Sequence, residues 1–187
     1  MVSKKSLEKT KNTRKFIALS VFVWAAAIIV ALLHLWMMFG MFGYAKDLEH
    51  QSLSMFEGLG VIFYFFVAAG AAVLCIILNI FAAILAPKIN NTQKPGFALS
   101  VLISQITFNI TSVLPPIIGG FLASGGNPAT VRLASVVVFI MSLIPIGLLS
   151  IRPKIKAVRP ETVMALRTFM LITTSLSIFL ILFVLIG

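Results

Sequence analysis

Acidic residues and cysteine are scarce in this chain of 187 residues, and charge of either sign is missing from most of its length. Asp and Glu number 5 against 15 Lys and Arg, which leaves a formal net charge of +10. No charged side chain occurs within 16–45, 58–87, 95–131, 133–151 or 168–187. Soluble domains carry roughly a quarter of their residues charged. Here the fraction is 11%, with 60% hydrophobic residues and a mean hydropathy of +1.10. A helix needs about 20 apolar residues to cross a hydrocarbon core of about 30 Å. The gaps are long enough for that, and they exclude a soluble enzyme, a secreted disulfide scaffold and a disordered tail. Nucleic acid is excluded as a partner by where the cations sit, next to apolar segments. The single cysteine, Cys75, excludes an internal disulfide and a CxxC pair. It reads as a small packing residue inside a span.

What remains is an all-α, polytopic membrane protein with five transmembrane helices. The first apolar stretch, Phe16 to Gly43, follows the basic run Lys4, Lys5, Lys9, Lys11, Arg14, Lys15. A signal peptide has a hydrophobic region of about 7–15 residues. This one is far longer and contains bulky Trp36, Met37, Met38 and Phe39, so it reads as a retained first span. The expected spans are 16–43, 58–86, 97–117, 131–150 and 168–187, a single bundle preceded by a basic cytoplasmic tail, 1–15. Pro87 is expected to stop the second span. The segment 115–126, with Pro115, Pro116 and four glycines, reads as a broken helical extension or an interfacial loop. Asn127-Pro128 has the form of a helix start, since Asn caps free N–H groups and Pro suits the first helical position. Pro160 suits a helix start in the same way.

Sorting Lys and Arg by side orients the bundle. The tail, the loop 87–95 (Lys88, Lys94) and the loop 151–167 (Arg152, Lys154, Lys156, Arg159, Arg167) hold 13 of the 15 cations; the other side holds Lys46 and Arg132. The positive-inside rule then expects a cytoplasmic N-terminus and an external C-terminus, in what reads as a bacterial cytoplasmic membrane. Each near-surface cation attracts anionic lipid by about 1 kcal/mol, so anionic lipids at the cytoplasmic face are expected partners. Trp36 and Tyr44 are placed to anchor the outer interface.

Two patterns inside the spans point to helix contacts. Ala68, Ala72, Cys75, Asn79, Ala82 and Ala86 recur at alternating steps of four and three, a small-residue seam suited to close packing. The third span carries Ser100, Ser104, Thr107 and Thr111 on one stripe and Gln105, Asn109 and Ser112 on another. A Gln or Asn facing lipid would lose hydrogen bonds at a cost of several kcal/mol. This helix is therefore expected to be surrounded by protein or to line a hydrated cavity. Counting depth at 1.5 Å per residue puts Gln105 and Asn109 near the midplane, Asn79 about 10 Å toward the cytoplasm and level with Ser100, and His34 outward near Ser112. The candidate binding column is Gln105, Asn109, Asn79, His34 and Ser104.

Chemistry is sparsely represented. There is no HExxH, GxSxG or P-loop, and no carboxylate in the middle of a span. Asp47, Glu49, His50 and Glu57 gather outside but match no ligand spacing. Asn90-Asn91-Thr92 and Asn109-Ile110-Thr111 match glycosylation acceptors in form, yet one is expected in the cytoplasm and one in the membrane. The expectation is no catalytic residue, no metal and no cofactor. The chain reads as an integral subunit or scaffold of a membrane complex, bound to other membrane subunits or to itself. The alternative is a small-solute transporter or channel component using the polar column.

Overall fold

Apolar runs of this length satisfy their backbone groups in lipid only as helices, and helices are what form. The computed structural model describes residues 4–49, 55–124 and 127–186. Its helices are α1 (Lys4–Glu49), α2 (Met55–Leu85), α3 (Pro95–Ser124), α4 (Pro128–Ser150) and α5 (Pro160–Ile186). A short 3-10 segment, Ala86–Asn91, follows α2. Five stretches are long and apolar enough to cross a membrane, one in each helix, and no strand occurs among the described residues.

Local chemistry sets most of the ends. Pro87 cannot donate to the preceding turn, and the helix tightens there into the 3-10 segment, closed by Thr92 Oγ1 donating to the Ile89 carbonyl at 2.8 Å. Asn127 caps α4 by accepting from the Ala129 N–H at 3.0 Å, with Pro128 as the first helical residue. Pro160 opens α5.

Residues 4–15 of the basic N-terminal segment are helical and continuous with α1, for 12 residues before the apolar stretch begins. One expectation about ends needs correction: 115–124 is not a break or a loop, because α3 runs through the proline pair to Ser124. Gly125 and Gly126 lie outside the described residues. Proline is tolerated inside membrane helices because neighbouring helices and Ser/Thr hydroxyls restore freed backbone groups, so a Pro-Pro pair is a weaker stop signal in this solvent than in water.

α3 is the centre of the bundle. It touches all four other helices, while α1 packs mainly on α4 and α2 on α5. In the most apolar stretch of α3, 78% is buried, against 28 to 44% in the other four. Ser100 lies beside Ile151 and Ser104 beside Pro145, so α3 and α4 run antiparallel. Along α1 the buried positions Asn12, Phe16, Leu19, Val23, Ala26, Val30 and His34 form one stripe with the spacing of a left-handed crossing. The outward faces are apolar, with Phe22, Leu32 and Phe39 exposed on α1 and Phe66, Ile77, Phe81 and Ile84 on α2. In water such faces would aggregate; against lipid tails they are the ordinary surface.

Candidate functional site

Most polar residues of α3 point inward because the alternative is hydrocarbon; Thr107 stays partly exposed and bonds the Ile103 carbonyl of its own helix. Gln105 and Asn109 are fully buried, four residues apart on one face, and Gln105 Nε2 donates to Asn109 Oδ1 at 3.0 Å. From α2, Asn79 meets them: Gln105 Nε2 also approaches its Oδ1 at 3.4 Å. From α5, Thr173 accepts from Asn109 Nδ2 and from Asn79 Nδ2, each at 3.2 Å. Asn79 Nδ2 further reaches Thr174 Oγ1 at 2.8 Å and the Met170 carbonyl at 3.1 Å. Three helices are thus joined by one chain of amides and hydroxyls. Among the described residues, Gln105 Oε1 is buried there without a hydrogen-bond donor.

The structure brings three of the five column residues, Asn79, Gln105 and Asn109, together and turns Ser104 away. Ser104 neighbours Gln105 in sequence, which on a helix turns it about 100° away. It faces α4 and donates to the Pro145 carbonyl at 2.7 Å. His34 is buried on α1. The depth of Asn79 also differs from the count: it is level with Gln105, not with Ser100.

All six seam positions of α2 and its continuation, Ala68, Ala72, Cys75, Asn79, Ala82 and Ala86, are buried. They serve two contacts. Ala68 and Ala72 cluster with Val113 of α3 and Leu180 of α5, whereas Cys75, Ala82 and Ala86 join the main core with Phe16, Val23 and Phe108. Ala86 already belongs to the 3-10 segment.

A second polar region was not anticipated. At the end of the bundle carrying most of the cations, the first turns of α1, the segment 86–94 and the loop 151–159 are stitched into one layer. Asn12 Nδ2 donates to the Asn91 carbonyl at 3.1 Å, and Gln93 N–H donates to Thr13 Oγ1 at 2.9 Å. Asn91 Nδ2 reaches Glu8 Oε1 at 2.9 Å. Asn90 pairs reciprocally with Val158, donating to its carbonyl at 2.9 Å and accepting from its N–H at 2.7 Å. Ser100 Oγ donates to the Ile151 carbonyl. At Gly96 an added Cβ would lie 1.8 Å from the Pro153 carbonyl oxygen, so only glycine fits. The sequence held a signal for this layer: the α1 stripe continues outward to Asn12, polar but in register with Phe16 and Leu19.

On the opposite end Arg132 and Glu49 form an ion pair at 2.8 Å. His50 and the side chain of Glu57 lie outside the described residues, and no group of three His, Cys, Asp or Glu among those described is placed to hold a metal ion. No protein-family model, curated protein or solved structure matches this chain.

Proposed function

We propose that this chain is a non-catalytic multi-pass membrane protein acting as an integral subunit or scaffold of a membrane complex. The observation that carries this reading is how its central polar groups are used: Asn79, Gln105, Asn109 and Thr173 bond one another across α2, α3 and α5. Such bonds fix helix–helix geometry and leave the outward apolar faces to make further contacts. Connections between helices are short, as in the nine residues 151–159 between α4 and α5, so any recognition runs through the helices and the basic end. The basic end faces the cytoplasm in this reading, following the distribution of Lys and Arg. Native mass spectrometry after mild extraction tests it. Other membrane subunits or further copies should travel with the chain, and a lone monomer would refute the assignment. Epitope tags at the two termini should become protease-sensitive from opposite sides of sealed vesicles.

One observation favours a second reading, a small-solute transporter or channel component. Gln105 Oε1 is a buried acceptor with no donor among the described residues, so a polar solute with a donor group would complete it. Replacing Gln105 by Leu and Asn109 by Ala separates the two readings. A transporter would lose uptake while the extracted protein kept its helical content and oligomeric state. A scaffold would lose stability and oligomer together.

A further inference from the structure

A groove runs down the outside of the bundle between α1, the start of α3 and the loop after α4. Its outer part, about 630 Å³, is lined by Thr13, Gln93, Lys94, Arg152 and Lys154. Its inner part, about 290 Å³, is lined by Val21, Trp24, Ile146 and Leu149. Ser20, Phe97 and Arg152 border both. From Thr13 to Trp24 the helix rises about 16 Å, enough to pass from the headgroup layer into the acyl region. Lys94 and Lys154 line only the outer part, and Arg152 stands where the two parts meet.

We propose that this groove binds one anionic phospholipid of the surrounding membrane, its phosphate at Arg152 and Lys154 and its chains along Trp24, Ile146 and Leu149. Charge complementarity names the occupant: cations line the outer part, and no Asp or Glu lines either part. α3 also begins in the groove wall at Pro95 and turns the positive end of its dipole toward the same place.

The site is built, unlike a run of mobile surface lysines. Arg152 stacks on Phe97, its guanidinium 5.8 Å from the ring centre, at the junction of the two parts. The loop carrying Arg152 and Lys154 is held at Ile151 by Ser100, at Pro153 by contact with Gly96 and at Val158 by Asn90. A cation held in place recognises phosphate with less ordering cost, and a planar guanidinium matches phosphate oxygens in pairs. Ile17, Val21 and Trp24 are exposed beside the groove, which leaves it open to lipid from the side. The proposal requires only that the bundle sits in a membrane, and it stands or falls separately from any protein partner.

Trp24 provides the test. The chain has two tryptophans, so Trp36→Phe leaves Trp24 as the single reporter. The full chain is reconstituted in phosphatidylcholine vesicles containing a small fraction of brominated phosphatidylglycerol or, in parallel, brominated phosphatidylcholine. Trp24 should be quenched severalfold more by the anionic lipid at equal mole fraction. Arg152→Gln with Lys154→Gln should abolish that preference, and Lys154→Gln alone should remove most of it if the pair does not fold. Lys5→Gln with Lys11→Gln, exposed cations outside the groove lining, should leave the preference unchanged. Equal quenching by the two lipids would overturn the proposal, as would a loss with the Lys5 and Lys11 pair as large as with the groove pair. Added inorganic phosphate should leave the quenching unchanged; loss of the preference would assign the site to free phosphate instead of lipid.

Discussion

The centre of the bundle and its basic end use the same residue types for different work. At the centre, Asn79, Gln105, Asn109 and Thr173 bond mainly to one another, side chain to side chain. At the end, Asn12, Asn90 and Ser100 bond to backbone groups of other segments. The reason lies in the backbone. Within a span each helix satisfies its own N–H and C=O groups, so an amide buried there finds its partners mainly among other side chains. Between spans the chain leaves the helix, and its freed backbone groups are completed by side chains from neighbouring elements. The centre therefore fixes which helices touch, and the end fixes how the connections lie over them.

Substitutions can break or sharpen this contrast. The largest effect is expected from Gly96→Ala, whose new methyl would meet a backbone carbonyl at 1.8 Å. Backbone must move, at a cost of about 3 kcal/mol or more. Thermal unfolding in detergent should show a large loss, whereas Gly70→Ala, which meets nothing within 4 Å, should be neutral or slightly stabilising. Equal behaviour of the two would remove the claim that the loop 151–159 is pressed onto α3.

Next comes the centre. Asn109→Ala leaves Gln105 Nε2 only its 3.4 Å contact with Asn79 and takes one of two amide donors from Thr173, and should destabilise by about 1–3 kcal/mol. A double-mutant cycle of Asn79→Ala with Thr173→Ala should give a coupling of about 0.6 to 1.7 kcal/mol, the range found between membrane helices. A coupling of zero would mean that the two residues are not bonded in the membrane. Asn90→Ala removes two part-buried bonds to Val158 at the end of the bundle, and about 1 kcal/mol is expected. Limited proteolysis in the loop 151–159 should rise well before the whole protein unfolds. If Asn90→Ala proves as costly as Asn109→Ala, the distinction between centre and end fails.

The smallest change is expected at the other end. Arg132 and Glu49 are 37% and 45% exposed in their side chains, and an ion pair in that setting contributes less than about 1 kcal/mol and is screened by salt. Glu49→Gln should shift the melting temperature little at low salt and not at all at high salt.

Much of this was legible from residue order. The helix starts at Asn127-Pro128 and Pro160 follow from which residue supplies an acceptor and which lacks a donor. The burial of Gln105 and Asn109 follows from the cost of an amide in hydrocarbon. The seam of α2 follows from spacing alone. Two features were hidden behind boundary signals. Pro115-Pro116 signals a stop in water but not inside a packed membrane helix, and the lysines before Phe16 masked a stripe that runs on to Asn12.

Sequence alone determined that the chain is helical, that it has five stretches able to cross a membrane, and that α3 must be shielded from lipid. These follow from transfer free energies, which belong to each residue wherever it ends up. Tertiary structure decided which helix does the shielding, that Asn79 is level with Gln105, and that Ser104 turns to α4. It also decided that three distant polar segments close over one end. Those outcomes depend on distances between parts of the chain far apart in order, and no local preference encodes such distances.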